Sequence, residues 1–272
     1  MATPEPAAPI RRAATAAAEA VGRAVLSPIE ELGRAIRVFA GGATNIVRLP
    51  IRVHQTVEQM EFIGIRSLPI ILLASAFTGA VFTYESYEAF AYFGAQGLVG
   101  GTVGVAITRE LGPTLTGLLV AGRAGSAMAA ELGSMRVTEQ IDALDAMAVD
   151  PMNYLVKPRL LASVLVMPLL TAVFDAFGML GSWAVGVYVL HLSPPEYLVR
   201  MRDWVDWDDI WAGLAKAFVF GAIVGTVACY KGLYTEGGAV GVGRATTSSV
   251  VVSSVTILVS NYFIALLLPS PI

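Results

Sequence analysis

Long apolar stretches dominate the chain from residue 68 onward. A membrane-spanning helix needs about 20 mostly apolar residues. Five stretches meet this requirement, at residues 68–93, 98–129, 160–192, 210–230 and 250–268. The pattern therefore predicts an all-α membrane protein with five transmembrane helices in one domain over residues 67–272.

Two amphipathic segments precede the first predicted span, within residues 27–66. Apolar residues recur there every three or four positions, with arginines between them: Ile29, Leu32, Ile36, Phe39, Ile46, Leu49, Val53, Val57 and Met60. This spacing is typical of helices that lie along a membrane surface or pack on soluble protein. The span that follows directly favours the membrane surface. Residues 1–26 are rich in Ala and Pro and lack the apolar core of a signal peptide, so we expect a disordered cytoplasmic tail.

The distribution of basic residues predicts the orientation. Lys and Arg are concentrated before the first span, between the second and third spans, and between the fourth and fifth. The segment 193–209 contains Arg200 and Arg202, but five acidic residues offset them. Because cytoplasmic loops carry the excess of basic residues, we expect the N-terminus inside and the C-terminus outside. The Trp and Tyr residues of 193–209 indicate a short helix at the outer interface.

Composition agrees with a membrane protein and excludes several functional classes. The chain is 56% hydrophobic and 14% charged, with a net charge of −3, whereas soluble domains carry about 25% charged residues. The basic footprint of a nucleic-acid-binding protein is missing. Cys229 is the only cysteine, so neither an intrachain disulfide nor a cysteine metal cluster is possible. His54 and His191 are far apart in sequence, and we predict no metal site.

The segment between the second and third spans predicts a short amphipathic helix at about 134–149. Val137, Ile141 and Leu144 share one face, and Glu139, Gln140 and Asp142 lie on the other. A cytoplasmic helix of this kind is suited either to a groove in a soluble partner or to the membrane interface. Its acidic face is repelled by an anionic membrane surface, which favours the protein partner.

Charged residues inside the predicted spans are the candidate functional residues. Arg109 and Glu110 lie within the second span, and each charge would cost about 2.5–3.5 kcal/mol if it faced lipid at the helix centre. They therefore face either a cavity or a partner helix, as a headgroup site or as an ion pair within the bundle. The same alternatives apply to Asp175 and Lys216. Near the outer end of the first span, Tyr84, Glu85 and Glu88 either line a cavity or are solvated at its rim.

The glycine-rich segment 238–245 resembles a phosphate-binding loop only superficially. It lacks the Lys and the Ser or Thr that contact the nucleotide. We expect a flexible loop leading into the fifth span. Without a nucleotide motif or a catalytic Ser-His-Asp set, we expect a chain that is not an enzyme, holds no cofactor and binds no ATP by itself.

The run from Glu110 to Arg159 is specific enough to indicate a family. It contains ELGP, AGRAGSAMAAELG and VTEQIDAL, and it resembles the MlaE/YrbE-type permeases of Mla lipid-transport ABC systems. The resemblance extends over most of residues 45–268.

The resemblance implies a homodimer that encloses a lipid cavity in the bacterial inner membrane. It implies three kinds of partner: a cytoplasmic ABC ATPase, often a STAS-domain subunit, and a periplasmic MCE-domain protein. The substrate class would be phospholipid. The segment around Glu139, Gln140 and Asp142 would be the coupling helix that contacts the ATPase. Arg109 and Glu110 would be a charged pair near the lipid pocket, with Lys216 as a further cavity charge.

Two other functions fit parts of the pattern. A self-contained secondary transporter or channel would use Arg109, Glu110 and Asp175 as ion or proton sites, but no inverted repeat is visible. A structural anchor would recruit soluble proteins through the helix around Ile141, but charges within the spans argue against a pure anchor.

Overall fold

The computed structural model describes residues 30, 31, 33–42 and 52–267, which are almost entirely helical and contain no strand. Residues 30–31 and 33–42 form α1. The following helices are α2 (Val53–Ile63), α3 (Leu68–Ala91), α4 (Val99–Ala106), α5 (Gly112–Val120), α6 (Ser126–Val137), α7 (Gln140–Ala146), α8 (Lys157–Ala184), α9 (Pro194–Trp204), α10 (Trp207–Leu233) and α11 (Gly238–Leu267).

Four helical segments of the described chain are long and apolar enough to cross a membrane. They are Val53–Ala91, Met152–Val189, Trp207–Leu233 and Gly238–Leu267, and they contain most of the first, third, fourth and fifth predicted spans. The second predicted span is helical too, within a run from α4 to α6. It is not among the four, because charged residues and many glycines lower its mean hydropathy.

Two π-helical segments interrupt this run, Ile107–Leu111 between α4 and α5 and Ala121–Gly125 between α5 and α6. Single-turn π segments of this kind often occur at functional sites. The first one carries Arg109 and Glu110, which makes the second predicted span the least regular and most polar part of the bundle.

The long helix α8 lies at the centre of the fold and packs against α2, α3 and α10. Phe174 of α8 and Phe220 of α10 are fully buried in the largest apolar cluster. Against α3, the backbones come into direct contact: a Cβ on Gly79 would overlap the backbone of Gly178, and one on Gly181 would overlap Ala76. Small residues allow this close approach between helices.

Helix α9 lies where the sequence predicts a short outer helix. Its Tyr197 is buried, and the Tyr197 hydroxyl shares a hydrogen bond of 2.5 Å with Ser182 Oγ. The same Ser182 oxygen also lies 2.7 Å from Thr83 Oγ1. Burial raises the pKa of Tyr197 above its ordinary value, and the hydrogen bonds to Ser182 and Thr83 offset only part of this increase. Two turns later on the same face of α9, Trp204 covers Gly101 of α4. The hydroxyl cluster therefore joins α9 to both α3 and α8.

Part of the sequence-based expectation for the N-terminal segments lies outside the described residues. The expected tail, residues 1–26, lies outside the described residues, as does 43–51 from the second amphipathic segment. Its remainder forms α2, which leads through the short turn Ile65–Ser67 into α3.

The expected flexible loop at 238–245 is wrong, because these residues are the first turns of α11. Gly241 meets the carbonyl of Glu236 so closely that any side chain there would overlap it. Gly241 therefore serves close packing at the start of the helix, whereas a Cβ on Gly238 or Gly243 would meet no atom within 4 Å.

Candidate functional site

Arg109, in the first π segment, forms an ion pair with Asp209 near the start of α10. Its Nη1 atom lies 3.1 Å from Asp209 Oδ1, and the two side chains are only 17% and 9% exposed. Asp209 also closes the N-terminus of α10, because its side chain accepts a hydrogen bond from the backbone N–H of Asp206. The same carboxylate therefore fixes the helix start and compensates the charge of Arg109.

Glu110 pairs with Lys216, one of the most deeply buried side chains of α10. Lys216 Nζ donates to Glu110 Oε1 at 2.6 Å, and Asn261 of α11 donates to Glu110 Oε2 at 3.0 Å. The Lys216 side chain is 2% exposed, whereas that of Glu110 is 42% exposed. The pair thus extends from the protein interior, at Lys216, to the protein surface, at Glu110.

Pro113 explains why Lys216 has a second partner at this point. Proline has no N–H, so it cannot donate to the carbonyl of Arg109 four residues earlier. That carbonyl instead accepts a hydrogen bond from Lys216 Nζ at 3.0 Å. The ammonium group therefore satisfies both an irregular backbone and a neighbouring carboxylate.

Asp175 of α8 lies against the other side of the same segment. It is 8% exposed, and its Oδ1 atom is buried without a hydrogen-bond partner. This oxygen lies so close to Gly112 that a Cβ there would overlap it. From α10, Gly213 packs equally closely on the carbonyl of Thr108. Helices α8 and α10 therefore enclose the π segment from two sides.

The structure thus brings four of the predicted residues to one level of the bundle: Arg109, Glu110, Asp175 and Lys216. Tyr84, Glu85 and Glu88 lie instead on the exposed face of α3. Two ion pairs carry equal positive and negative charge, so the cluster holds charges within an apolar bundle at a lower cost than isolated charges would.

Two members of the cluster were missed by the sequence reasoning. Asp209 was counted among the acids of the outer segment. Its position three residues after Asp206, which is the N3 position of a capping box, was a usable signal. Asn261 was read only as part of an apolar span. An amide in such a span seeks a hydrogen-bond partner, and here it finds Glu110.

The amphipathic helix between α6 and α8 is shorter than expected. Residues 134–137 belong to α6, Glu139 adopts a left-handed conformation with φ of 60°, and α7 runs from Gln140 to Ala146. Ile141 is 4% exposed and belongs, with Leu144, to an apolar cluster that includes Leu132 of α6 and Tyr230 of α10. Two of the three apolar residues that were expected to face a partner therefore pack within the protein itself, while Val137 stays exposed.

The side of this helix and its preceding turn that faces away from the bundle is exposed. Its exposed residues include Val137, Glu139, Gln140, Asp142, Ala143 and Met147. Arg136 forms an ion pair with Asp142 across the turn. A soluble partner would thus meet a small, mostly acidic surface beside an exposed methionine.

Among the described residues, no group of three or more His, Cys, Asp or Glu side chains is placed to hold an ion. The two ion pairs give the Arg109 cluster an electrostatic chemistry, since their members can pair with another charged group or exchange partners.

Comparison with known proteins identifies the family. Residues 56–267 match the family described as "Permease MlaE". The chain belongs to the MlaE permease family. Together with the four apolar helices, this makes it an integral membrane protein.

Three relatives illustrate the range of the MlaE family. A "Probable ABC transporter permease protein" of Rickettsia bellii is 42% identical over 247 residues, which cover 91% of this chain and 95% of the relative. The "Intermembrane phospholipid transport system permease protein MlaE" of Haemophilus influenzae is 37% identical, over 88% of this chain and 92% of the relative. The chloroplastic "Protein TRIGALACTOSYLDIACYLGLYCEROL 1" of Arabidopsis thaliana is also 37% identical, over 86% of this chain and 67% of the relative.

Proposed function

We propose that this chain is the permease subunit of an ATP-driven phospholipid transporter in a bacterial inner membrane. The observation that carries the proposal is membership of the MlaE permease family over residues 56–267. A relative with 37% identity over most of both chains is named as an intermembrane phospholipid transport permease. A self-contained transporter or channel is not favoured, because the relatives are named as permeases of ABC transporters.

In this proposal two copies of the chain enclose the lipid path. A cytoplasmic ABC ATPase supplies energy, and neither ATP nor another cofactor binds to the permease itself. An MCE-domain protein outside the membrane exchanges lipid with the dimer, and a STAS-domain subunit is a further candidate partner. The function is transport rather than enzymatic catalysis.

The Arg109 cluster serves as the polar end of the lipid path. A phospholipid headgroup carries a phosphate and often an amine, and both can exchange with members of ion pairs. The partly exposed carboxylate of Glu110 is the most accessible member of the Lys216 pair, and Asp175 adds a carboxyl oxygen without a protein partner. Tyr84, Glu85 and Glu88 would line the outer rim on α3.

The α7 region serves as the contact for the ATPase. The exposed residues of the region carry this contact, above all Glu139, Gln140 and Asp142. Val137 contributes apolar area at the edge, while Ile141 and Leu144 support the helix from below. In the proposed topology, α7 lies on the cytoplasmic side of the membrane and α9 on the outer side. The run from α4 to α6, which is the second span along the chain, crosses the membrane in addition to the four apolar segments.

Purification in mild detergent tests this proposal. A tagged chain is isolated, and the bound proteins and lipids are determined by mass spectrometry. We expect an ABC ATPase, an MCE-domain protein and phospholipid. Recovery of the chain without any ATPase, from cells that express one, would contradict the proposal and favour a self-contained transporter.

A further inference from the structure

An apolar groove lies between α1, α10 and α11, away from the Arg109 cluster. Its volume is about 480 Å³, within the range of small-molecule sites. Most of its lining is apolar: Ala35, Ile36, Phe39, Val219, Ala222, Ile223, Val227 and Val252. The groove opens between two candidate membrane spans, so it faces hydrocarbon rather than water.

One end of the groove is charged. Lys231, in the last turn of α10, lies 3.1 Å from Glu31 of α1, and its side chain is only 14% exposed. Its ammonium group also lies 5.2 Å from the ring centre of Tyr230. A buried cation at the polar end of an apolar groove is suited to a phosphate group.

A hydroxyl group without a partner lies deeper in the groove. Thr226 lines it and is 9% exposed, and its Oγ1 atom is buried and has no hydrogen-bond partner. Buried polar groups in proteins are nearly always hydrogen-bonded, so this hydroxyl is available to a ligand atom in the groove. Because a helix rises 1.5 Å per residue, Thr226 lies roughly 7 Å from Lys231 along α10.

We propose that this groove binds one membrane phospholipid, with its phosphate on Lys231 in place of Glu31. The order along the groove is a cation, then a hydroxyl donor, then apolar side chains. A phospholipid presents a phosphate, then ester carbonyls, then acyl chains in the same order. The Thr226 hydroxyl donates to an ester carbonyl, and an acyl chain lies along α10 and α11.

Displacement of Glu31 couples this site to α1. The ion pair to Lys231 joins α1 to α10 across the groove, beside the exposed Ile36 and Phe39, while the buried Val38 packs α1 in an apolar cluster with α10. A phosphate on Lys231 therefore weakens the attachment of α1. The inference requires a lipid bilayer around the protein but no transport activity.

Photolabelling in proteoliposomes tests the site. The purified chain is reconstituted with phosphatidylglycerol that carries a diazirine in one acyl chain, and labelled peptides are mapped by mass spectrometry after illumination. We expect labels on 219–231 and 252–256. A hydrogen bond to a charged group is worth about 1.5–3 kcal/mol, so Lys231→Gln lowers labelling about tenfold at limiting lipid.

Three further variants sharpen the result. Thr226→Val keeps the shape of the side chain but removes the hydroxyl group, and it also lowers labelling. Glu31→Gln raises labelling, because the phosphate no longer competes with a carboxylate. Arg244→Gln removes an exposed cation of α11 and leaves labelling unchanged. Thermal unfolding of each variant verifies that the fold is intact.

A steric pair separates this site from general lipid contact. Ala222→Phe fills the groove and abolishes labelling there, whereas Ala215→Phe, on an exposed position of α10, has no effect. Labelling that is insensitive to Lys231→Gln and Ala222→Phe would overturn the proposal. So would a bismaleimide crosslink between two copies through Ala222→Cys, since a second copy would then fill the groove. If the chain showed normal labelling but no lipid transport together with its ATPase, this result would count against the proposed function and not against the lipid site.

Discussion

The residue that best explains the polar cluster is Pro113, which is itself apolar. It removes a backbone donor from the second predicted span, and the carbonyl of Arg109 accepts a hydrogen bond from Lys216. A lysine inside a bundle then requires a counter-charge, which Glu110 supplies. The irregular backbone and the buried charges are therefore one feature.

Removal of Lys216 tests this interdependence. Breaking a buried ion pair costs about 3–5 kcal/mol, because the remaining charge loses its partner. We expect Lys216→Met to lower the free energy of unfolding by this amount in detergent, as measured by denaturant titration. The double variant with Glu110→Gln recovers most of the loss. As a control, Arg136→Met breaks an exposed pair and costs at most about 1 kcal/mol.

Gly112 offers a second prediction at this scale. A methyl group there would overlap the Asp175 carboxylate, and overpacking costs about 1–3 kcal/mol. We expect Gly112→Ala to lower the melting temperature. Gly122→Ala, ten residues later in the same run, has no atom within 4 Å of the new methyl group and is expected to be neutral or slightly stabilising. Equal effects of the two substitutions would refute the close contact with Asp175.

At the level of elements, the periodicity of apolar residues predicted where helices form better than what they touch. The spacing of Val137, Ile141 and Leu144 indicated an amphipathic helix, and α7 is one. Spacing cannot distinguish a face that meets a partner from a face that packs against α6 and α10 of the same chain. For the same reason the ion pair of Asp209 with Arg109, 100 residues apart, could not be predicted.

This difference changes which substitution tests the contact with the ATPase. Ile141→Asp would place a charge in the protein's own core and so disturb the fold. Ala143→Arg instead adds bulk and a positive charge to the exposed face of α7. We expect it to abolish co-purification of the ATPase while the melting temperature stays within error. Retention of the ATPase by a folded Ala143→Arg protein would exclude this face as the contact.

At the scale of the whole molecule, four spans and the family were predictable because both depend on long local patterns. The run from α4 to α6 was predictable as a helix from its length, but its charges and glycines keep it apart from the four apolar segments. The helical start of α11 was missed because glycines that allow close packing have the same local pattern as glycines in a loop.

Cysteine labelling tests the proposed topology. The only natural cysteine, Cys229, is fully buried, so a membrane-impermeant maleimide gives a low background. We expect Arg200→Cys, on α9, to react from outside intact cells, and Glu236→Cys, before α11, to react only after the membrane is opened. Reaction of both from the same side would mean that α10 does not cross the membrane.

The most direct test of the account is ATP-dependent phospholipid transfer by the assembled transporter. The chain and its co-purified ATPase and MCE-domain protein are reconstituted in vesicles that contain a fluorescent phospholipid, and its movement to the MCE-domain protein or to acceptor vesicles is followed. We expect transfer in either direction to require ATP, to fall at least tenfold in Arg109→Ala, and to be unchanged in Arg244→Ala. Transfer that is independent of ATP, or that proceeds normally in Arg109→Ala, would contradict the account.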